Sequence, residues 1–210
     1  MLGVLGGTFD PVHHGHLRLA LEVRERLGLE RVHLVPSSTP PHRDVAAATG
    51  QARAELLRAA VADREDLVVD TRELVRGGTS YTVDTLASLR AEYSREPLCF
   101  ILGMDAFCHL DSWHRWEALP ELAHFALARR PGAPVPAGRP RALLQSLRVD
   151  NPGALREKLY GNIIVLDVPM LDISSTRIRE IFAAGGDPAY LLPDSVIDLA
   201  RAGGLYRAKP

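Results

Sequence analysis

The chain has 210 residues, of which 46% are hydrophobic and 24% are charged, values that suit one soluble domain with a sizeable core. A formal net charge of −1 provides no global basic field, so we expect binding neither to nucleic acid nor to a membrane surface. Two cysteines are too few for a disulfide framework, and no apolar run approaches the roughly 20 residues that span a bilayer. The N-terminal apolar stretch is also too short for a signal peptide. We therefore expect a cytoplasmic protein.

Short apolar runs alternate with amphipathic segments along the chain. Strands are predicted at residues 1–7, 31–36, 67–70, 98–103, 124–129 and 162–169. Helices are predicted at residues 14–27, 52–62, 80–93, 174–184 and 193–202. Ser80 is the expected N-cap of the third helix, and turn-rich residues 37–50 and 130–141 are expected to be loops.

This alternation predicts an α/β fold, a Rossmann-like doubly wound parallel sheet with C-terminal helices. We expect a single domain over residues 1–210, with its C-terminal helical part at about 170–210. In such sheets, ligands bind outside the carboxyl ends of the strands. The segments that follow predicted strands are therefore expected to converge on one cleft; they are residues 6–16, 36–43, 103–105 and 168–179.

The segment after the first strand reads GGTFDPVHHGH and carries three histidines in four positions, which packing alone rarely requires. A zinc site is one interpretation, because imidazole binds zinc and Asp10 offers a carboxylate, but no HExxH motif and no paired cysteines accompany it. A phosphate site is another. Gly6 and Gly7 permit close backbone approach, Gly15 leaves room for a nucleotide, and a helix that begins near His14 directs free N–H groups and its positive dipole end at the loop.

The run His13-His14-Gly15-His16 resembles the (H/T)xGH signature of a nucleotidyltransferase superfamily. The second signature of that superfamily, ISSTxxR, is matched at residues 173–179 and ends at Arg179. Further stretches resemble the bacterial nicotinate-nucleotide adenylyltransferases; they are PSSTPPHR, GGTSYTVDTL, ILGMDAF, SWHRW, ARRPG and LLPDSVIDLARAGGLY. The resemblance covers essentially the whole chain, although His114 stands where that family often has tyrosine.

The resemblance implies an enzyme of NAD biosynthesis that transfers AMP from ATP to nicotinate mononucleotide, giving deamido-NAD and pyrophosphate. The 5′-phosphate of the mononucleotide would attack the α-phosphorus in line, with no covalent enzyme intermediate. Because the attacking oxygen is already anionic, the protein needs only to align the reactants and neutralise charge. Mg²⁺ is expected with ATP, held by phosphates and water more than by the protein, so no protein metal site is expected.

For ATP, the resemblance implies that His16 stabilises the reacting α-phosphate and that His13 supports the neighbouring phosphates. The residues that open the second motif suit the β- and γ-phosphates through N–H and hydroxyl groups, and Arg179 adds charge. The expected ATP-binding set is Gly7, Thr8, Phe9, His13, Gly15, His16, Ser174, Ser175, Thr176 and Arg179.

For the mononucleotide, we expect phosphate binding by Arg43 and Arg130 and ribose binding by Asp105. The ring carboxylate is expected at the helix start formed by Thr82 and Val83. Trp113 would stack on the pyridine ring and His114 would complete the pocket. We also expect the loop 37–50 to become ordered over the acceptor phosphate.

Three other functions remain open from the sequence. An adenylyltransferase that prefers nicotinamide mononucleotide would share the same motifs. A zinc hydrolase would need tightly bound metal and attack by water. A non-catalytic nucleotide sensor would bind ATP without releasing pyrophosphate.

Overall fold

The computed structural model describes residues 1–39, 46–169 and 171–208. Its strands are β1 (Leu2–Gly7), β2 (Arg31–Pro36), β3 (Leu67–Val69), β4 (Leu98–Gly103), β5 (His124–Arg129), β6 (Arg148–Val149) and β7 (Ile163–Asp167). They form one seven-stranded sheet in the order β3-β2-β1-β4-β5-β7-β6. Strand β4 pairs in parallel with β1 and β5, and β7 pairs in parallel with β5 and β6. The predicted α/β fold with a doubly wound parallel sheet is confirmed.

The helices of the described residues fill the connections between strands and the C-terminal part. They are α1 (His14–Leu27), α2 (Gly50–Ala60), α3 (Arg72–Arg76), α4 (Thr82–Glu92), α5 (Met104–Phe107), α6 (Gly138–Leu147), α7 (Ser175–Ala183) and α8 (Asp194–Ala202). Each of the five predicted helices is present, with boundaries that shift by no more than two residues. None of the helices described is long and apolar enough to cross a membrane.

The central strands are apolar because both of their faces are covered. Residues 98–102 of β4 and 124–128 of β5 are all buried, and Cys99 is a buried free thiol, as expected from its apolar neighbours. The strand order reverses next to β1, since the chain first builds β2 and β3 on one side and then returns to β4 on the other. The loop after β1 therefore leaves the sheet at its topological switch point, where ligands of such folds bind.

Two compact units share the chain. Unit 1 consists of Met1–Gly6, Leu19–His33 and Tyr81–Pro169. Unit 2 consists of Gly7–Arg18, Leu34–Ser80 and Met170–Pro210. Both signature motifs belong to unit 2, whereas the residues predicted to bind the mononucleotide belong to unit 1, apart from Arg43. The single-domain organisation stays a prediction.

Two local predictions were wrong. Ser80 is not the N-cap of α4: Tyr81 occupies that position, and the Ser80 hydroxyl accepts a hydrogen bond from the Ser38 amide at 2.8 Å. The segment 130–141 is not loop throughout, because α6 begins at Gly138 and carries Pro140 in its first turn, where a missing N–H costs little. The short elements α3, α5 and β6 were not predicted.

Candidate nucleotide-binding site

The loop between β1 and α1 is shaped by the ring of Phe9. That ring is 1% exposed and lies edge-on to the imidazole of His16, with 5.0 Å between ring centroids. A Cβ atom at Gly7 would lie 3.1 Å from the Phe9 ring, closer than ordinary van der Waals contact. Gly7 thus leaves the room that the Phe9 ring occupies inside the loop.

The two signature histidines stack on each other. Their ring centroids are 3.7 Å apart with an angle of 26° between planes. The main-chain N–H of His13 donates a long hydrogen bond of 3.3 Å to Nδ1 of His16. Because Nδ1 is the acceptor, a neutral His16 carries its proton on Nε2, which makes Nε2–H the donor of this side chain.

His13 lies deeper than His16 and is only 5% exposed. Burial, with a smaller contribution from the neighbouring charge of His14, lowers the pKa of His13 to about 4. Its Nδ1 atom is buried with no hydrogen-bond partner among the described residues. His13 is therefore neutral at neutral pH, and its Nδ1 atom keeps a hydrogen-bonding capacity that no described protein group uses.

The structure gives a reason for glycine at position 15 that the sequence did not suggest. A Cβ atom at this position would lie 3.0 Å from Cε1 and Nδ1 of His13 and 3.5 Å from the Leu171 carbonyl oxygen. The space beside Gly15 is filled by the His13 ring and by the chain just before the second motif. The glycine thus allows the first motif to pack, in addition to any room that it leaves for a nucleotide.

The second motif joins the first through two hydrogen bonds. The Ser175 hydroxyl donates to the Pro11 carbonyl at 2.9 Å, and the Arg179 guanidinium donates to the Asp10 carbonyl at 2.8 Å. Within unit 2, the expected convergence of the segments after β1 and β7 is therefore observed for these residues. Arg179 also donates to the Thr176 hydroxyl at 3.3 Å, which fixes the guanidinium along the first turn of α7.

The hydroxyl groups at the start of α7 are engaged within the protein. Ser174 is the N-cap, and its hydroxyl accepts from the Arg177 amide at 3.2 Å, while the Ser175 hydroxyl is bonded to Pro11. The amides of Ser175 and Thr176 lie in the first turn, where no intrahelical carbonyl is available to them. Phosphate binding by this motif would thus rest on backbone N–H groups and on Arg179 more than on serine hydroxyls.

Sequence reasoning missed the role of Asp10, which it treated only as a possible zinc ligand. The Asp10 carboxylate is buried and accepts from the Ala47 amide at 2.7 Å, the Ala48 amide at 3.2 Å and the Tyr206 hydroxyl at 2.8 Å. A carboxylate surrounded by these donors is not placed to bind a metal. Within the described ranges, no group of three or more histidine, cysteine, aspartate or glutamate residues is arranged to hold a metal ion.

Sequence reasoning also missed Arg53, a buried arginine on α2. It is 1% exposed, and burial lowers the pKa of its guanidinium. Its N–H groups donate to main-chain carbonyls at Thr8, Ser37, Ser38 and Ala48, at distances of 2.6 to 3.3 Å. Arg53 thus ties the turn after β1 to the turn after β2. The sequence signal for a buried arginine was its position among apolar residues of an amphipathic helix.

In unit 1, the start of α4 contains two of the residues predicted to bind the mononucleotide. The Tyr81 carbonyl accepts from the amides of Asp84 and Thr85, so Thr82 and Val83 occupy the first turn, where amides lack intrahelical partners. The ring of His114 lies 4.3 Å from that of Tyr81 between centroids. The structure thus brings His114 beside the helix start that the sequence had assigned to the ring carboxylate.

The other predicted acceptor residues of unit 1 are partly exposed. Trp113 lies edge-on to Phe100 at 6.2 Å between centroids, and Arg130 forms a 3.5 Å ion pair with Asp105. About half of each side chain of that pair is exposed, so water screens the interaction and a bound phosphate would compete for Arg130. Arg130 also lines a cavity of about 510 Å³, bounded by residues 129–133 and 167–169. Arg43 lies outside the described residues.

Comparison with known proteins agrees with this geometry. A family model described as cytidylyltransferase-like matches residues 4–181, which include both signature motifs. The parallel sheet, the histidine loop at its switch point and the second motif bonded to that loop thus define a nucleotidyltransferase.

More specific relatives span the full chain. A probable nicotinate-nucleotide adenylyltransferase of Marinobacter nauticus is 49% identical over 209 residues, covering 99% of this chain and 97% of the relative. One of Pseudomonas syringae pv. tomato is 47% identical, covering 99% and 94%. The chain belongs to the nicotinate-nucleotide adenylyltransferase family. The fold also matches Plasmodium falciparum nicotinic acid mononucleotide adenylyltransferase complexed with NaAD, with a TM-score of 0.73, 16% identity and coverage of 98% and 96%.

Proposed function

We propose that this chain transfers AMP from ATP to nicotinate mononucleotide and releases pyrophosphate. The observation that carries the proposal is the direct bonding of the two signature motifs, from Ser175 to Pro11 and from Arg179 to Asp10. Family membership supports the same reaction, because the relatives are named for it. The product would be deamido-NAD.

The reaction requires no nucleophile from the protein. An oxygen of the mononucleotide 5′-phosphate forms a bond to the α-phosphorus of ATP, and the bond from that phosphorus to the pyrophosphate oxygen breaks. The bonding electron pair leaves with pyrophosphate, and no proton must move. Charge accumulates on the oxygens around the α-phosphorus, so the protein accelerates the step by holding donors where that charge develops.

His16 is the donor that we assign to the α-phosphate, through Nε2–H. Its orientation is fixed by the bond from the His13 amide to Nδ1 and by the ring contact with Phe9. His13 contributes one N–H to an adjacent phosphate, and Arg179 supplies a positive charge to the outer phosphates. The amides of Gly15, Ser175 and Thr176 and the loop at Gly7, Thr8 and Phe9 complete the ATP-binding set.

Magnesium would enter with ATP as part of the substrate. The described residues hold no cluster of acidic and imidazole ligands, so the donor set of the loop fits phosphate oxygens and does not fit a resident metal. We therefore assign Mg²⁺ to the phosphates and water, and all protein contacts in the proposal go to the nucleotide. We also propose that the enzyme acts in the cytoplasm, as expected from the sequence.

For the acceptor, we assign the ring carboxylate to the amides at Thr82 and Val83 and to the ring N–H of His114. These groups donate hydrogen bonds, and a carboxylate only accepts them, whereas the NH₂ of nicotinamide would face them donor to donor. Trp113 would stack on the pyridine ring, Asp105 would bind the ribose, and Arg130 would bind the phosphate. Arg43 lies outside the described residues, so its assignment to the phosphate rests on the motif alone.

The test is a pyrophosphate-release assay with ATP and either nicotinate or nicotinamide mononucleotide. We expect about tenfold to hundredfold preference for the acid, and His16→Ala should lower kcat by about 10²–10³ while the KM for ATP changes little. His109→Ala, at an exposed position, is the matched control. Near-normal turnover by His16→Ala would contradict adenylyl transfer by this site. Equal use of the two mononucleotides would contradict only the acceptor assignment.

A further inference from the structure

Asp10 is a junction between four segments of unit 2. Its carboxylate bonds the segment at Ala47 and Ala48 and the C-terminal Tyr206, and its carbonyl bonds Arg179 of α7. Asp10 itself lies in the histidine loop, three residues before His13. A displacement of Asp10 would therefore also move the loop that carries both histidines.

Tyr206 is the partner of Asp10 that contributes a side-chain hydroxyl. Its ring packs against Phe182 of α7 with 5.8 Å between centroids, and its hydroxyl donates to Oδ1 of Asp10 at 2.8 Å. Burial, followed by the negative charge of Asp10, raises the pKa of Tyr206, so the hydroxyl remains a donor at all working pH values. Its φ of 63° lies in the left-handed region that non-glycine residues rarely adopt, so the surrounding contacts specify this placement.

We propose that Tyr206 is a positioning residue for adenylyl transfer, because its hydroxyl holds Asp10 and thereby fixes the loop of His13 and His16. The inference rests on the proposed function. Tyr206 touches neither histidine in the contacts described, so it acts through Asp10.

The energetic reason is the burial of the Asp10 carboxylate. Without the tyrosine hydroxyl, Oδ1 retains the Ala48 amide at 3.2 Å, which is the longer of the two amide contacts. A buried charge that loses a short charge-assisted hydrogen bond shifts toward its remaining donors. A shift of about 1 Å in a group that aligns reacting atoms costs about 10²-fold in rate, so the loss is expected in kcat.

The experiment compares Tyr206→Phe, Asp10→Ala and the double variant with the wild type. Phenylalanine keeps the ring contact with Phe182 and removes only the hydroxyl. Tyr190→Phe is the matched control, because that side chain is 92% exposed and also has a left-handed backbone. For each variant, kcat, the KM for ATP, the Kd for ATP and the midpoint of thermal unfolding are measured.

Tyr206→Phe should lower kcat by about tenfold or more and change the KM and Kd for ATP by less than about threefold. The double variant should be no slower than Asp10→Ala alone, since the hydroxyl acts only through the Asp10 side chain. These effects should persist well below the unfolding midpoint, where every variant is folded. Tyr190→Phe should match the wild type in all four quantities.

Three results would overturn the proposal. They are a Tyr206→Phe variant as fast as Tyr190→Phe, multiplicative losses in the double variant, and a loss of ATP affinity that accounts for the whole effect. Failure of the proposed function looks different, because the wild type itself would then release no pyrophosphate with either mononucleotide. An active wild type together with a fully active Tyr206→Phe variant would reject the positioning role and leave adenylyl transfer intact.

Discussion

His13 and His16 stand in one signature but occupy different surroundings. His13 is buried with a pKa of about 4, whereas His16 is only partly buried and accepts the His13 amide at Nδ1. Two cationic rings stacked at 3.7 Å would repel each other. The neutral ring of His13 avoids this repulsion, and in our proposal the fixed positive charge for the phosphates comes from Arg179.

The lowered pKa of His13 predicts a pH dependence of stability. In the unfolded chain this histidine has a pKa of about 6.5, so below that pH the unfolded state gains protons first. The stabilisation is present above pH 6.5 and is lost as the pH falls toward 4, by about 3 kcal/mol at most. His13→Gln should therefore lose less free energy of unfolding than the wild type between pH 7.5 and 4.5, as measured by urea denaturation.

His109→Gln is the control, because His109 is exposed and its substitution should leave the wild-type slope unchanged. Buried His124 also has a lowered pKa, and its contribution is common to all three proteins. Equal slopes for His13→Gln and the wild type would show that His13 is not the group that titrates in this window.

Helix α2 shows how an element outside the signatures supports the site. Thr49 caps its start by accepting from the Ala52 amide at 3.2 Å, and its inward face carries Arg53 among buried leucines. The guanidinium reaches the carbonyls of the two turns that follow β1 and β2. A planar group with five N–H donors suits this task better than an ammonium group.

Substitution of Arg53 should therefore strongly lower the free energy of unfolding. Arg53→Met leaves buried carbonyl groups without donors, and we expect a loss of at least about 3 kcal/mol in the free energy of unfolding. Arg53→Lys should recover only part of this stability, since one ammonium cannot reproduce the fork. Chemical denaturation measures both, with Arg58→Met as the control at an exposed position of the same helix. If Arg53→Met lost no more free energy of unfolding than Arg58→Met, Arg53 would not be the residue that anchors the two turns.

Sequence patterns predict elements with strong local signals and miss those without. The central strands were predicted because each is an apolar run that ends at glycine, proline or charge. Helix α3 spans five residues and shows too little periodicity to be recognised, and the start of α6 was hidden in a segment rich in glycine and proline. The same limit applies to the site: Asp10 and Tyr206 are 196 positions apart, and no local pattern joins them.

At the scale of the whole molecule, the two substrates are assigned to different units. The residues of the histidine loop and of α7 that we assign to ATP belong to unit 2. The described residues assigned to the mononucleotide, from Thr82 to Arg130, belong to unit 1. If these assignments hold, substitutions among the described residues of one unit should affect mainly one substrate.

This division predicts two kinds of kinetic variant. Arg179→Ala should raise the KM for ATP much more than that for the mononucleotide, and Arg179→Lys should restore part of the affinity. Trp113→Ala should do the opposite, because only the pyridine ring loses its stacking partner. Steady-state kinetics with each substrate varied in turn measures both. Equal changes in the two KM values for either variant would contradict the assignment of substrates to units.

The hydrogen bond between Asp10 and Tyr206 can form only after residue 206 has been synthesised. The histidine loop leaves the ribosome before Arg53, and long before Ser175, Arg179 and Tyr206. At about 5–20 residues per second, the 196 positions between Asp10 and Tyr206 take roughly 10–40 s to translate. A nascent chain therefore carries its first signature long before it holds the last contact that fixes it, and a product that stops short of Tyr206 would retain both motifs without that contact.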